Sequence, residues 1–349
     1  MDVLESYESV VASTRTRLAR NFADYPFPNI LLRDAHAEEQ AGEIVSIVSA
    51  ELKRMDAFRL YEMSNVSEET AALLQEKNLI SRDLIANSPI SAAIISEDES
   101  ISVMVNEEDH LRVQYFMKGL DLNKAFERVS GIDDIISDTI PFAYDSEYGY
   151  LTACPTNLGT GLRASVMLFL PALSRRGVMK KTAPALSRGG LTVRGAAGEG
   201  SGTEGDFFQV SNEMTLGLSE EDILYRVQRA VETLTELEIR ERMCMKAEGG
   251  ISLFDEIGRS YGILLGCKKI TAQELALRVA DIKLGLALGY IEGERDGEKL
   301  IGELDDFMVR MRPANLKRLS GIKLDGEERD AYRAKEAAEA VKAMNLYLW

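Results

Sequence analysis

Chemistry in this chain is suggested first by the segment Cys154-Pro155-Thr156-Asn157-Leu158-Gly159-Thr160-Gly161-Leu162-Arg163-Ala164-Ser165, which sets one thiol and one guanidinium at a fixed separation. Pro155 and Asn157 interrupt any regular element, and Gly159 and Gly161 admit backbone geometry closed to other residues. Thr160 can cap the apolar helix predicted to follow, which would put Arg163 near a helix N-terminus, where phosphate is favoured. Two readings fit: an anion site beside a reactive group, or a well-capped helix carrying a solvated arginine.

Other segments weigh on that choice. In Ser13-Thr14-Arg15-Thr16-Arg17 strand geometry puts Arg15 and Arg17 on one face, where two guanidiniums repel unless an anion lies between them. Asn106-Glu107-Glu108-Asp109-His110-Leu111-Arg112 follows a predicted strand, and crowded carboxylates there suit either a group that meets a cationic substrate or a solvated turn. Arg194 lies in a tract between Gly189 and Gly205 that contains Gly189, Gly190, Gly195, Gly198, Gly200, Gly202 and Gly205 and reads as a loop over a site or as a surface linker. No G-x-x-x-x-G-K-[ST], H-R-D or D-F-G pattern is present, so a P-loop or a eukaryotic-type protein kinase is excluded.

The elements that would position these groups mix strand and helix. Residues Ile90 to Ile95 and Ile101 to Val105 read as a hairpin around Glu97-Asp98-Glu99-Ser100, so the sheet is at least partly antiparallel. Ala35 to Arg54 and His110 to Val129 suit helices, and Phe207 to Val210 a short strand. Beyond Ser219 the apolar spacing of Ile223, Val227, Ala230, Val231, Leu234 and Leu237 predicts a long helix that stops at Glu248-Gly249-Gly250. Everything after that reads as helices over Ile251 to Leu265, Thr271 to Leu288, Asp305 to Arg312 and Glu327 to the end. The expected division is residues 1–248 and a helical region 249–349.

With 349 residues, 45% hydrophobic and 28% charged, the chain is sized for about two well-packed domains rather than for disorder. A net charge of −16 opposes nucleic acid as a partner, so any anion site must be local. Three cysteines without close spacing and two histidines give little basis for disulfides or a protein-held transition metal. No apolar run reaches the roughly 20 residues a bilayer needs, and the first residues lack a signal-peptide pattern; the expectation is a cytoplasmic protein without membrane contact.

The segments Ser13 to Arg17, Asn106 to Arg112, Cys154 to Ser165 and Arg194-Gly195-Ala196-Ala197-Gly198-Glu199 occur in the order and spacing of the phosphagen (guanidino) kinase family, which the chain resembles over its length. Its layout, with the additional helical region after these motifs, resembles the bacterial protein arginine kinase branch. So does Arg329-Asp330-Ala331-Tyr332-Arg333-Ala334, a pattern implicated there in phosphoarginine binding; an exposed helix with ordinary ion pairs also fits those residues. Ser13-Thr14 stands where many relatives have two serines, which keeps the hydroxyl.

The resemblance implies an α+β catalytic domain, glutamine-synthetase-like, with a largely antiparallel sheet flanked by helices, followed by an all-α C-terminal domain. It implies ATP with Mg2+, the metal held mainly by the phosphates, bound through Ser13, Thr14, Arg15, Thr16, Arg17, Arg112, Arg163, Ala164, Ser165, Val166, Met167, Arg194, Gly195, Ala196, Ala197, Gly198 and Glu199. It assigns Glu108 as catalytic base, Glu199 as a second carboxylate and Cys154 as a supporting thiol, and Arg329, Asp330, Arg333 and Ala334 to phosphoarginine. The implied activity is phosphorylation of arginine side chains in proteins, marking them for an AAA+ protease. The implied partners are proteins with exposed arginines, a zinc-finger activator, an AAA+ unfoldase and a second copy of the chain. A kinase of free arginine or another small guanidino compound, and a non-enzymatic phosphoarginine-binding adaptor, are the competing readings.

Overall fold

The structure is a computed structural model that describes residues 3–32, 37–55, 57–195, 204–322 and 324–348. Its strands are β1 (Val11–Arg20), β2 (Phe58–Glu62), β3 (Ala92–Ser96), β4 (Ile101–Val105), β5 (Leu111–Lys118), β6 (Tyr144–Asp145), β7 (Gly149–Tyr150), β8 (Leu162–Phe169), β9 (Leu191–Gly195), β10 (Phe207–Asn212), β11 (Ile291–Gly293) and β12 (Leu346–Leu348). Eight of them form one sheet in the order β2-β3-β4-β5-β1-β8-β10-β9. The pairs β2–β3, β3–β4, β4–β5 and β5–β1 are antiparallel. The chain divides into two compact units, one of Ser13–Val166 and Ser211–Arg229, the other of Met1–Ala12, Met167–Val210 and Ala230–Trp349.

In the first unit the period-2 alternation of strands decides which residues share a face. Opposite Arg17 lies Gln114, and opposite Arg15 lies Phe116, while Arg112 lies opposite Met104 on β4. Arg15, Arg17, Arg112, Gln114 and Met104 therefore line one face. The other face carries Leu18, Val113, Leu111, Val103 and Val105, all buried. It packs on the helix Leu122–Ser137, capped by Asp121 and buried through Leu122, Ala125, Val129, Ile132 and Ile136, an i, i+3, i+4 stripe.

Two expectations are corrected here. Leu111–Lys118 is a strand, not part of a helix from His110, and the helix begins only after Gly119, whose φ of 74° stops the strand. Leu162–Phe169 is also a strand, so Arg163 sits on an extended segment and not at a helix N-terminus. The buried Ala164, Val166 and Leu168 alternate with the partly exposed Arg163 and Met167, a period of two that the apolar content of the segment hides.

In the second unit a separate core is built from Leu253, Ile257, Leu275, Ile282, Leu304, Phe307 and Val341, among others. The helix Glu220–Gly266 runs through the expected break with a non-helical Gly250 at φ 49° and ψ −145°, a conformation suited to glycine. Ala272–Leu288, Gly297–Arg310, Pro313–Ser320 and Gly326–Ala343 follow, with Thr271, Asp296 and Asp325 as side-chain N-caps and a full capping box between Asp325 and Glu328. The region is not helical throughout, because β11 and β12 pair antiparallel. Within this unit Glu238 accepts from the amides of Ala172 and Leu173 at 3.0 and 2.9 Å and pairs with Arg242, both side chains fully buried.

Candidate active site

Strand alternation places Arg15 and Arg17 on the same face of β1, and sends Thr14 and Thr16 to the other, where their hydroxyls donate to Gly119 O and Ala125 O, each at 2.7 Å. Ser165 on β8 reaches Arg15 through its hydroxyl, which donates to the Arg15 carbonyl at 3.1 Å. Arg163 donates to Ser211 Oγ at 3.3 Å, while the Ala164 amide donates to Asn212 Oδ1 at 2.8 Å. Four guanidiniums thereby come within electrostatic reach. Burial, then the charges of Arg163 and Arg112, pull the Arg15 pKa down to about 10. Arg17 is driven well below the ordinary arginine value by burial first and by Arg15, Arg112 and Arg163 after it. The buried Nε of Arg17 has no hydrogen-bond partner among the described residues.

Like charges held this close in a low dielectric are costly, and a multiply charged anion removes the cost. Beside them lies a cavity of about 250 Å³, lined by Arg15, Arg17, Arg112, Gln114, Asn78 and Arg82 together with Ile80 and Met104. Its lining is mostly guanidinium and polar, with Ile80 and Met104 as its apolar members.

The carboxylates approach from the turn after β4. Asn106 takes φ 57° and donates to Ile90 O and Ala41 O at 2.9 and 3.2 Å, which anchors the start of the turn. Arg112 donates to Glu107 Oε1 at 2.6 Å and to Glu108 Oε2 at 3.1 Å. Glu107 is fully buried, whereas the Glu108 side chain is 38% exposed and so accessible to a substrate. Burial raises the Glu108 pKa, Arg112 opposes it, Asp109 and Glu107 add to it, and a hydrogen bond from Cys154 opposes it. The Cys154 Sγ lies 3.0 Å from Thr156 Oγ1.

Glycine is required in the segment that delivers the thiol. Gly161 has φ 64°, and a Cβ there would stand 2.5 Å from Ala19 O and 2.7 Å from Arg20 Nη1. Gly159, at φ 106°, would meet Thr215 O at 2.7 Å. The buried Arg20 guanidinium lies 3.5 Å from the centroid of Tyr150, pairs with Asp133 at 2.9 Å and donates to Thr160 O at 2.8 Å.

Arg15, Arg17, Arg112, Arg163, Ser165, Glu108 and Cys154 are thus assembled in one unit, with Ser13 on the arginine face of β1, while Ala164 and Val166 lie buried on the far face of β8. Met167, Arg194 and Gly195 belong to the other unit, the last two on β9. Ala196, Ala197, Gly198 and Glu199 lie outside the described residues. In the C-terminal set Arg333 is buried and donates to Ile270 O, Met311 O and Asp330 Oδ1, Ala334 is in the core, and Arg329 Nε donates to Asp325 O. Gln114 carried no expectation from the sequence, and Glu107 was expected only as one of the crowded carboxylates, not as the partner of Arg112; the period of two over 111–118 places Gln114 beside Arg112.

A site of clustered guanidiniums facing a carboxylate is what transfer of phosphate to a guanidino group requires, and residues 40–241 match the family model of the ATP:guanido phosphotransferase C-terminal catalytic domain. The chain belongs to the ATP:guanido phosphotransferase family. Membership implies ATP as phosphoryl donor. In addition, residues 250–346 match the C-terminal domain of the protein-arginine kinase McsB. Among curated relatives of this guanido phosphotransferase, a protein-arginine kinase of Caldanaerobacter subterraneus subsp. tengcongensis is 38% identical over 95% of this chain and 97% of its own. One from Geobacillus stearothermophilus is 42% identical over 93% of this chain and 88% of its own.

Solved structures agree on the fold. Lombricine kinase superposes with TM-score 0.58 at 24% identity, covering 66% of each chain. A duplicated taurocyamine kinase from Schistosoma mansoni, bound to transition-state analogue components, gives 0.59 at 25% identity over 78% of this chain and 39% of its own.

Proposed function

We propose that this guanido phosphotransferase is a protein arginine kinase, moving the γ-phosphoryl group of ATP onto arginine side chains of proteins. The observation that carries the reading is the cluster of Arg15, Arg17, Arg112 and Arg163 with Glu108 held on Arg112. Curated relatives of this name, matched over nearly their whole length, support it.

In the proposed mechanism the guanidiniums bind the triphosphate, the cavity beside them takes the rest of the nucleotide, and the fixed positive charge stabilises the equatorial oxygens as the phosphoryl group moves. A guanidinium acceptor is a poor nucleophile until it loses a proton. Glu108, exposed on its substrate side, accepts that proton; a guanidino nitrogen forms the new N–P bond while the bond to the β–γ bridging oxygen breaks and ADP leaves. The raised proton affinity of Glu108 suits it to this work. Cys154 supports the carboxylate through its hydrogen bond. By resemblance Arg194 and Glu199 complete the site.

Mg2+ belongs to the same proposal. By resemblance the ion would be held mainly by the nucleotide phosphates and would neutralise their charge. Binding of phosphoarginine at Arg329, Asp330, Arg333 and Ala334, marking of substrates for an AAA+ unfoldase, a zinc-finger activator, a homodimer and a cytoplasmic location are further parts of the proposal, resting on the resemblance. No helix of the described residues is long and apolar enough to cross a membrane.

The test is incubation with Mg-ATP and either an unfolded protein or free arginine, followed by mass-spectrometric location of acid-labile phosphate. Phosphoarginine in the protein is expected; label on free arginine alone would select the small-guanidine reading, and no label on either would refute a kinase.

A further inference from the structure

Asp109 follows Glu108 in sequence, yet it is buried, 1% exposed, where the Glu108 side chain is 38% exposed. One oxygen, Oδ1, accepts two hydrogen bonds of 2.7 Å, from Asn21 Nδ2 and from the backbone amide of Ala153. Asn21 in turn donates to Leu151 O at 3.1 Å and accepts from the His110 amide at 2.9 Å, and its carbonyl accepts from Ala143 N at 2.7 Å. His110 is held as well: Nδ1 accepts from Phe22 N at 3.0 Å, which leaves Nε2 as the donor to Pro26 O at 2.9 Å. A single carboxylate oxygen thus joins the turn after β4 to the segment leading into Cys154.

The joint bears on the chemistry by adjacency. Asp109 is the neighbour of Glu108, and Ala153 is the neighbour of Cys154, so the bond from Ala153 N to Asp109 is a rung that ties the turn carrying Glu108 to the segment carrying Cys154. Glu107 N donates to Asp109 O at 3.1 Å, closing the turn so that little slack lies between the rung and the Glu108 side chain. We infer that Asp109 is a positioning residue for phosphoryl transfer, fixing the turn that carries Glu108 to the Cys154 segment through the Ala153 amide and Asn21; the inference rests on the proposed role of Glu108 as proton acceptor.

Oδ1 is used only as an acceptor, and the buried Oδ2 has no partner among the described residues. An asparagine can therefore replace the aspartate without losing the rung, whereas alanine removes it. For Asp109→Ala we expect kcat to fall on the order of 100-fold with KM for ATP changed less than about threefold, the pattern of a misplaced reacting group. Asp109→Asn should recover most of that loss. Iodoacetamide should alkylate Cys154, located by peptide mass mapping, several-fold faster in Asp109→Ala than in the wild type or in Asp109→Asn.

Equal kcat and equal Cys154 alkylation in the two variants would overturn the inference, as would a fall in activity that only tracks the fraction folded. If Asp109→Ala does not fold, Asn21→Ala, which removes the other donor to Oδ1, takes its place; wild-type kcat and wild-type Cys154 alkylation in a folded Asn21→Ala refute the assignment. A wild type that labels no arginine would sink the kinase reading alone, because the alkylation rates still report on the rung.

Discussion

Arg112 divides its two terminal nitrogens between neighbouring carboxylates, 2.6 Å from the fully buried Glu107 and 3.1 Å from the half-exposed Glu108. One guanidinium is therefore anchored from behind while it faces the group that meets a substrate. The strand end makes this possible, since Arg112 stands opposite Met104 one residue into β5 and the turn carries both glutamates back over it.

Removal of the anchor should be costly. Glu107→Gln leaves Arg112 with a weaker, neutral partner in a buried setting, and breaking such a pair costs about 3–5 kcal/mol in stability at the extreme. Urea denaturation is expected to show a loss within that range, with KM for ATP rising as Arg112 loosens; unchanged stability and KM would mean the pair is idle.

The arginine cluster predicts a trade between stability and activity. Arg17→Met removes one of four mutually repelling charges, so the ligand-free protein should melt at a higher temperature, while loss of one donor costs about 3 kcal/mol of transition-state stabilisation, roughly 100-fold in kcat. Pyrophosphate should raise the melting temperature of the wild type more than that of the variant. A lower melting temperature in the variant would show that Arg17 is a structural residue.

The pH dependence of catalysis follows from Glu108. Its pKa lies above the ordinary carboxyl value of 4.5, and a proton acceptor works only when deprotonated, so kcat/KM should fall as pH drops through that raised value. The midpoint of the acidic limb is expected above 4.5, and Glu108→Gln should abolish transfer while nucleotide still binds. An acidic limb that persists in residual activity of Glu108→Gln would assign it to another group.

His110 predicts a pH dependence of stability. Burial holds its pKa down at about 4, against 6.5 in an unfolded chain. A depressed histidine pKa means the unfolded state binds the proton first, so the full stability exists above 6.5 and is lost as pH falls toward 4, by about 3 kcal/mol. Denaturation curves across this window should slope more steeply for the wild type than for His110→Gln, and parallel slopes would exclude His110 as their source.

Gly161→Ala tests the turn that delivers Cys154. At φ 64°, with a new Cβ 2.5 Å from Ala19 O, the substitution combines left-handed strain with a backbone clash. A loss of about 2–4 kcal/mol is expected by thermal or chemical denaturation. A tolerated alanine would imply that the turn relaxes freely.

Much of the site was legible in the residues themselves. Alternation in Ser13 to Arg17 puts Arg15 and Arg17 on one face, because a strand turns each successive side chain over, and the hairpin from Ala92 to Val105 was visible in its apolar runs and polar turn. What was lost was lost to ambiguity between buried strand and buried helix: Leu111–Lys118 and Leu162–Phe169 are apolar enough for either, and only hydrogen bonding to neighbouring strands decides. The chain by itself determined which groups could do chemistry, since charge, thiol and glycine are properties of residues. That Arg15, Arg17, Arg112 and Arg163 share one field, that Glu107 backs Arg112, and that Asp109 reaches across to Ala153 were decided only by tertiary structure, because each depends on strands and turns far apart in sequence being brought within a few ångströms of one another.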